Sequence, residues 1–167
     1  VSQAYESLNL AATDTLCRHF LLQYFHKWQL QESEIGLHII NRPSPDCVEL
    51  VLTKEAQLAV VNDYEGLRDN PQLEVTTLAT IQDVFVGGPD YKGAGFFDQG
   101  RLLNEPILLL HKGSASRTFF DEVTHGACRK PRFELGSVDV LLDLVEINMG
   151  ISMLPNHVVQ QKMQEGT

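Results

Sequence analysis

The residues of this sequence best suited to chemistry are hydroxyls standing where helices are expected to begin. Thr13-Asp14-Thr15 follows a small-residue strand, Leu8-Asn9-Leu10-Ala11-Ala12. Ser44 precedes Pro45, Ser114 and Ser116 lie in Ser114-Ala115-Ser116-Arg117, and Ser137 opens the run from Val138. Such hydroxyls cap helices by accepting a hydrogen bond from a free amide of the first turn. The same amides and the helix dipole favour an anion or a strongly polar group placed nearby. Arg117 could add a bidentate, charge-assisted contact to a carboxylate. Asp14 opposes an anionic ligand unless it turns to solvent. Capping alone explains any one of these residues; as a set they outline binding rather than reaction.

Residue types that catalysis uses are present at the wrong spacing. Cys17 and His19 are two apart, so on a helix they point to different faces. They read as a core cysteine and a surface histidine. The six histidines (His19, His26, His38, His111, His125, His157) show neither H-x-x-x-H nor H-E-x-x-H spacing, so no metal site is expected. Ser114 and Ser116 lack the G-x-S-x-G elbow of hydrolases. Gly87, Gly88, Gly93 and Gly95 lack phosphate-loop spacing and do not open a helix. Neither enzymatic activity nor a cofactor is expected.

A chain of 167 residues can bury a full core, as one domain or as two small lobes. No run approaches the roughly 18 apolar residues of a membrane span. No signal peptide is visible at Val1, and a start without Met reads as a processed chain or a fragment. Three cysteines (Cys17, Cys47, Cys128), far apart and without Cys-x-x-Cys, read as reduced thiols of a cytoplasmic protein. The net charge of −9 argues against this chain gripping a nucleic-acid backbone. The tightest basic cluster, Arg129-Lys130-Pro131-Arg132, reads as a solvated loop.

The elements that must position the hydroxyls follow from periodicity. A helix is expected from Thr15 to about Trp28, with Leu16, Phe20, Leu21, Tyr24, Phe25 and Trp28 on a broad apolar face. Residues 36–40 form a second strand, and Ser44 caps a helix with Pro45 at its first position. Residues 58–61 are a continuous apolar strand of the kind buried in parallel sheets. Residues 62–71 are polar with a weak helical centre, and residues 73–80 and 82–86 are extended. Ile107-Leu108-Leu109-Leu110 is another buried strand, followed by a helix carrying Phe119, Phe120 and Val123. Phe133 and Leu135 lie in a short strand, and Ser137 caps a helix with Val138, Leu141, Leu142, Val145 and Ile147 on one stripe. Asn148-Met149-Gly150 ends it in the left-handed conformation, and residues 151–154 form a strand closed by Pro155. Alternating strands and helices imply parallel α/β layers, here two lobes in tandem. Ligands of such sheets lie beyond the carboxyl ends of the strands, where Thr13, Thr15 and Ser44 fall.

The stretch from Ser137, with Leu141, Leu144 and Val145, through Gly150-Ile151-Ser152-Met153-Leu154-Pro155 resembles the effector-binding domain of LysR-type transcriptional regulators. The resemblance extends over about residues 8–155. It implies an α/β fold of two Rossmann-like lobes joined by two crossover strands, as in type 2 periplasmic-binding proteins. The crossovers fall near residues 83–86 and 149–153. Residues 1–83 plus 152–167 make lobe one and residues 84–151 lobe two. Carried over position by position, the ligand contacts are Thr13, Thr15, Ser44, Ser114, Ser116, Arg117, Ser137 and Val138. Asp14, Gln57 and Asn148 replace a frequent proline, aspartate and glycine of the family. The implied partner is a small polar molecule or carboxylate held between the lobes. The chain would form a homodimer, or a tetramer in the full-length protein, through the helices over residues 16–28 and 119–125. DNA would be bound only by a winged helix-turn-helix domain not present in this chain, and no membrane is involved. In the family, further strand and helix return to lobe one after the counterpart of Pro155. The alternative is a solute-binding receptor of the same fold, for which a signal sequence and often disulfides would be expected.

Overall fold

The computed structural model describes residues 6–31, 35–95 and 98–165. Contacts divide the chain into two units, Val1–Thr77 and Leu78–Thr167.

In the first unit β1 (Ser7–Ala12), β2 (Gly36–Asn41) and β3 (Leu58–Val60) form a parallel sheet in the order β2-β1-β3. Successive side chains of β1 face opposite sides, as strand geometry requires. Leu10 and Ala12 pack with Leu21, Phe20 and Phe25, whereas Ala11 meets Cys47 and Ala56. After β1 the chain runs through α1 (Asp14–Leu16), one π turn (Cys17–Leu21) and α2 (Leu22–Gln31). The wider π turn brings Leu16 and Leu21, five residues apart, onto the same buried side. Beyond it, α2 buries no residue fully, and Leu22, Tyr24 and Leu30 are exposed. The apolar face expected over residues 16–28 is therefore fully buried only at Leu16 and Leu21, with Phe20 and Phe25 half-buried against the core and Tyr24 exposed. Helix α3 (Ser44–Leu52) covers the other face through Cys47 and Val48. A left-handed Gly66 then leads into a 3-10 turn, Leu67–Asp69.

The second unit contains β4 (Asp83–Gly87), α4 (Gln99–Leu103), β5 (Leu108–Leu110), α5 (Ala115–Val123), β6 (Phe133–Leu135), α6 (Val138–Glu146), β7 (Ile151–Pro155) and α7 (Asn156–Glu165). Strand β4 pairs antiparallel with β7, β5 pairs parallel with β6, and a parallel Ile107–Ile151 bridge joins the two pairs. The β5 region is the buried axis. Leu108 and Leu110 pack with Leu141, Val145 and Val158 of α6 and α7, while Ile107 and Leu109 meet Phe120 and Leu102 of α5 and α4. The Ile151 amide donates to the Pro106 carbonyl at 2.8 Å. A side chain on Gly150 would overlap that same carbonyl, so glycine is what lets β7 lie beside β5. Asn148 has φ 61°, the left-handed helix exit its residue type suggested. Ile147 is exposed rather than part of the buried stripe.

These elements give the two-lobe α/β fold, and β4 and β7 are strands where residues 82–86 and 151–154 were expected to be extended. Helices α4 and α7 are additional to the sequence reading. The unit boundary also falls earlier than the lobe boundary expected from the resemblance. Residues 78–83 and 152–165 pack in the second unit, because β4 pairs with β7 along its length and Val158 and Val159 of α7 join the same core as Leu154.

Candidate ligand-binding site

At the carboxyl edge of the first sheet, Thr13 is extended (φ −67°, ψ 153°) and its hydroxyl accepts from the Leu16 amide at 3.2 Å. A hydroxyl that accepts in this way keeps its own proton for another acceptor. Thr15 is half-buried inside α1. Ser44 departs from expectation. Pro43 takes the cap position of α3, with no side-chain cap, and Pro45 lies one residue further into the helix than expected. The Ser44 hydroxyl instead accepts from the Asn62 amide at 3.1 Å, tying the start of α3 to the chain leaving β3. Beside it, Asn41 Nδ2 donates to the Ala12 carbonyl and to Cys17 Sγ, both at 3.3 Å. Burial pushes the Cys17 and Cys47 thiols above their ordinary pKa, so neither is an activated thiolate.

At the corresponding edge of the second unit, Ser114 caps α5 by accepting from the Arg117 amide at 3.2 Å, and Ser137 caps α6 by accepting from the Val140 amide at 3.3 Å. The Val138 side chain is core, which leaves its backbone amide as its polar group. Arg117 is 5% exposed and already engaged. Its Nε donates to Asp121 at 3.0 and 3.1 Å, and its Nη1 donates to Glu134 at 2.7 Å and to the Leu110 carbonyl at 3.1 Å. The guanidinium expected to meet a ligand carboxylate thus ties α5 to β5 and β6. The hydrogen bond from Arg117 holds the Glu134 carboxyl below the usual range.

Ser116 is 6% exposed and hydrogen-bonds the side chain of Asp83, the first residue of β4. Burial pushes the Asp83 carboxyl up, against that bond and the nearby His157. Sequence reasoning missed Asp83, for a lone aspartate opening a strand carries no motif. Among the described residues no group of three or more His, Cys, Asp and Glu could hold a metal. No helix among them is long and apolar enough to cross a membrane.

The model for the LysR substrate binding domain matches residues 3–167, essentially the whole chain. The chain belongs to the LysR substrate binding domain family. Solved LysR structures share its fold at low identity. The effector binding domain of QuiR in complex with shikimate is 16% identical, with TM-score 0.72, over 92% of this chain and 75% of that one. A mutant OxyR2 regulatory domain from Vibrio vulnificus, sulfate-bound, is 15% identical, with TM-score 0.74, over 96% and 77%. HinK, a LysR family transcriptional regulator from Pseudomonas aeruginosa, is 15% identical, with TM-score 0.65, over 93% and 54%. The LysR domain described here thus spans about three quarters of such isolated domains and about half of HinK. These relatives are regulatory domains rather than enzymes, and the transporter-receptor alternative is not favoured. No curated protein sequence matches the chain.

Proposed function

We propose that this LysR domain senses a small polar molecule, a carboxylate being the best fit, and binds it reversibly without chemistry. The observation that carries the reading is the orientation of four hydroxyls. Thr13, Ser44, Ser114 and Ser137 each accept from a backbone amide, so each has a proton to offer an anionic oxygen. The first turns of α3, α5 and α6 add helix-dipole potential of the matching sign, each worth about 0.3–1 kcal/mol. Thr15 and the Val138 amide complete the proposed contact set. Arg117 is left out of it, because its donors serve Asp121, Glu134 and Leu110. The bound molecule is the effector of the regulator. Its occupancy controls DNA binding by a winged helix-turn-helix domain of a cytoplasmic regulator. QuiR, whose effector domain is described with the hydroxy acid shikimate, and OxyR2, described as sulfate-bound, supply precedents for anionic ligands in similar folds.

The same reading includes a homodimer. Exposed Leu22, Tyr24 and Leu30 of α2 and exposed Phe119 and Val123 of α5 are the apolar surfaces offered to it. A thermal-shift screen of small carboxylates and neutral polar compounds tests the binding. The proposal expects saturable stabilisation by an acid that is recovered unchanged. Stabilisation only by neutral apolar compounds, or turnover of the bound acid, contradicts it.

A further inference from the structure

We infer that the outward face of α6 is a self-association surface whose occupant is α2 of a second copy of this chain. The inference rests on the homodimer part of the reading above and deepens it by naming the face that α2 meets. Helix α6 carries apolar residues on two sides. Val138, Leu141, Leu142 and Val145 belong to the core around β5. Val140 and, at the helix end, Ile147 stand on the other side, 49% and 65% exposed, with half-buried Leu144 between them. A helix that is apolar all round belongs inside an assembly rather than at its surface.

Charge selects the occupant. Helix α6 contains Asp139, Asp143 and Glu146 and no basic residue. Lys162 of α7 supplies one ammonium for two of these carboxylates, at 2.8 Å from Asp143 and 3.4 Å from Glu146. Helix α2 is the reverse, with His26 and Lys27 and no acidic residue. The Lys27 ammonium lies over the Tyr24 ring, 5.7 Å from its centroid, which keeps the charge on the helix surface. The exposed Leu22 and Leu30 of α2 are about 12 Å apart along the axis, against about 10.5 Å for Val140 and Ile147. Exposed Phe119 and Val123 of α5 span only about 6 Å. Two stripes of similar length, one beside bases and the other beside acids, are complementary, whereas α6 against itself would oppose like charges.

Sedimentation equilibrium of the chain and its variants, each checked for folding by thermal melting, tests this. Val140→Gln together with Ile147→Gln should weaken self-association about tenfold or more, because both sites lose apolar contact on docking. Glu146→Lys and Lys27→Glu should each weaken it at low salt. The two combined should recover most of the loss, since the swap restores opposite charges across the contact. The glutamine pair carries the test should the lysine variant unfold. Association of the folded glutamine pair as tight as that of the wild type overturns the inference. If Phe119→Ser weakens association in that case, the α2 and α5 surfaces of the parent reading stand without α6. A charge swap that fails to recover any affinity overturns α2 as the occupant. A chain that stays monomeric at every concentration overturns both the inference and the homodimer.

Discussion

The two units use the same hydroxyl-bearing residue types at their strand edges but wire them differently. In the first, Thr13 and Ser44 accept from nearby amides and Asn41 braces the Ala12 carbonyl. In the second, Ser114 and Ser137 repeat that pattern, while Ser116 and Arg117 are drawn into internal contacts with Asp83, Asp121 and Glu134. Their cores differ in parallel. The β5 strand is buried on both faces, whereas α2 in the first unit buries no residue fully. Both units leave large apolar side chains exposed, but the larger buried clusters, around β5, lie in the second.

The sharpest test of that contrast is truncation of Phe120, 1% exposed beside Leu109 and Met153. Phe120→Ala should cost about 3–5 kcal/mol in denaturant unfolding, the usual cost of a large core cavity. Arg117→Leu should cost about 1–3 kcal/mol, as expected for losing hydrogen bonds between charged groups. If it is neutral, the wiring described for α5, β5 and β6 contributes nothing to stability. Thr13→Ala should cost about 1 kcal/mol through loss of a helix cap. Leu30→Ala, at a site 76% exposed, should change monomer stability by about 0.5 kcal/mol or less. If α2 is a dimer surface, the same change should weaken self-association in sedimentation.

Two carboxylates of the second unit should also give opposite pH signatures. Glu134 is held below the usual range by Arg117, so its contribution to stability is present above the ordinary glutamate pKa and is lost as pH falls through the lowered folded value. Asp83 is pushed up by burial, so its contribution is fully present below the ordinary aspartate pKa and is lost as pH rises through the raised value. Glu134→Gln should remove the first trend and Asp83→Asn the second, measured as unfolding free energy across the acid range.

Much of this was legible in the sequence. Ile107–Leu110 has no polar residue, and it proved to be the buried axis. Ser114 and Ser137 precede apolar helical stripes, and both cap those helices. Asn148 stands at a helix end and takes a left-handed φ. What escaped depends on neighbours distant in sequence. Ser44 loses the cap role because Pro43 occupies that position and Asn62, eighteen residues on, supplies the amide. Arg117 is withdrawn by Glu134 across the sheet, and Ser116 by Asp83 from another strand. The π turn at Cys17–Leu21 redirects the apolar stripe after Leu21, which no helical periodicity foretells.

The most direct measurement is calorimetry of the chain with an acid found by thermal shift, repeated on Ser44→Ala and Ser137→Ala. Ligand sensing through outward-donating hydroxyls predicts one saturable site and a loss of about 1 kcal/mol, roughly fivefold in affinity, for each variant. An acid that binds the wild type and both folded variants with the same affinity would contradict it.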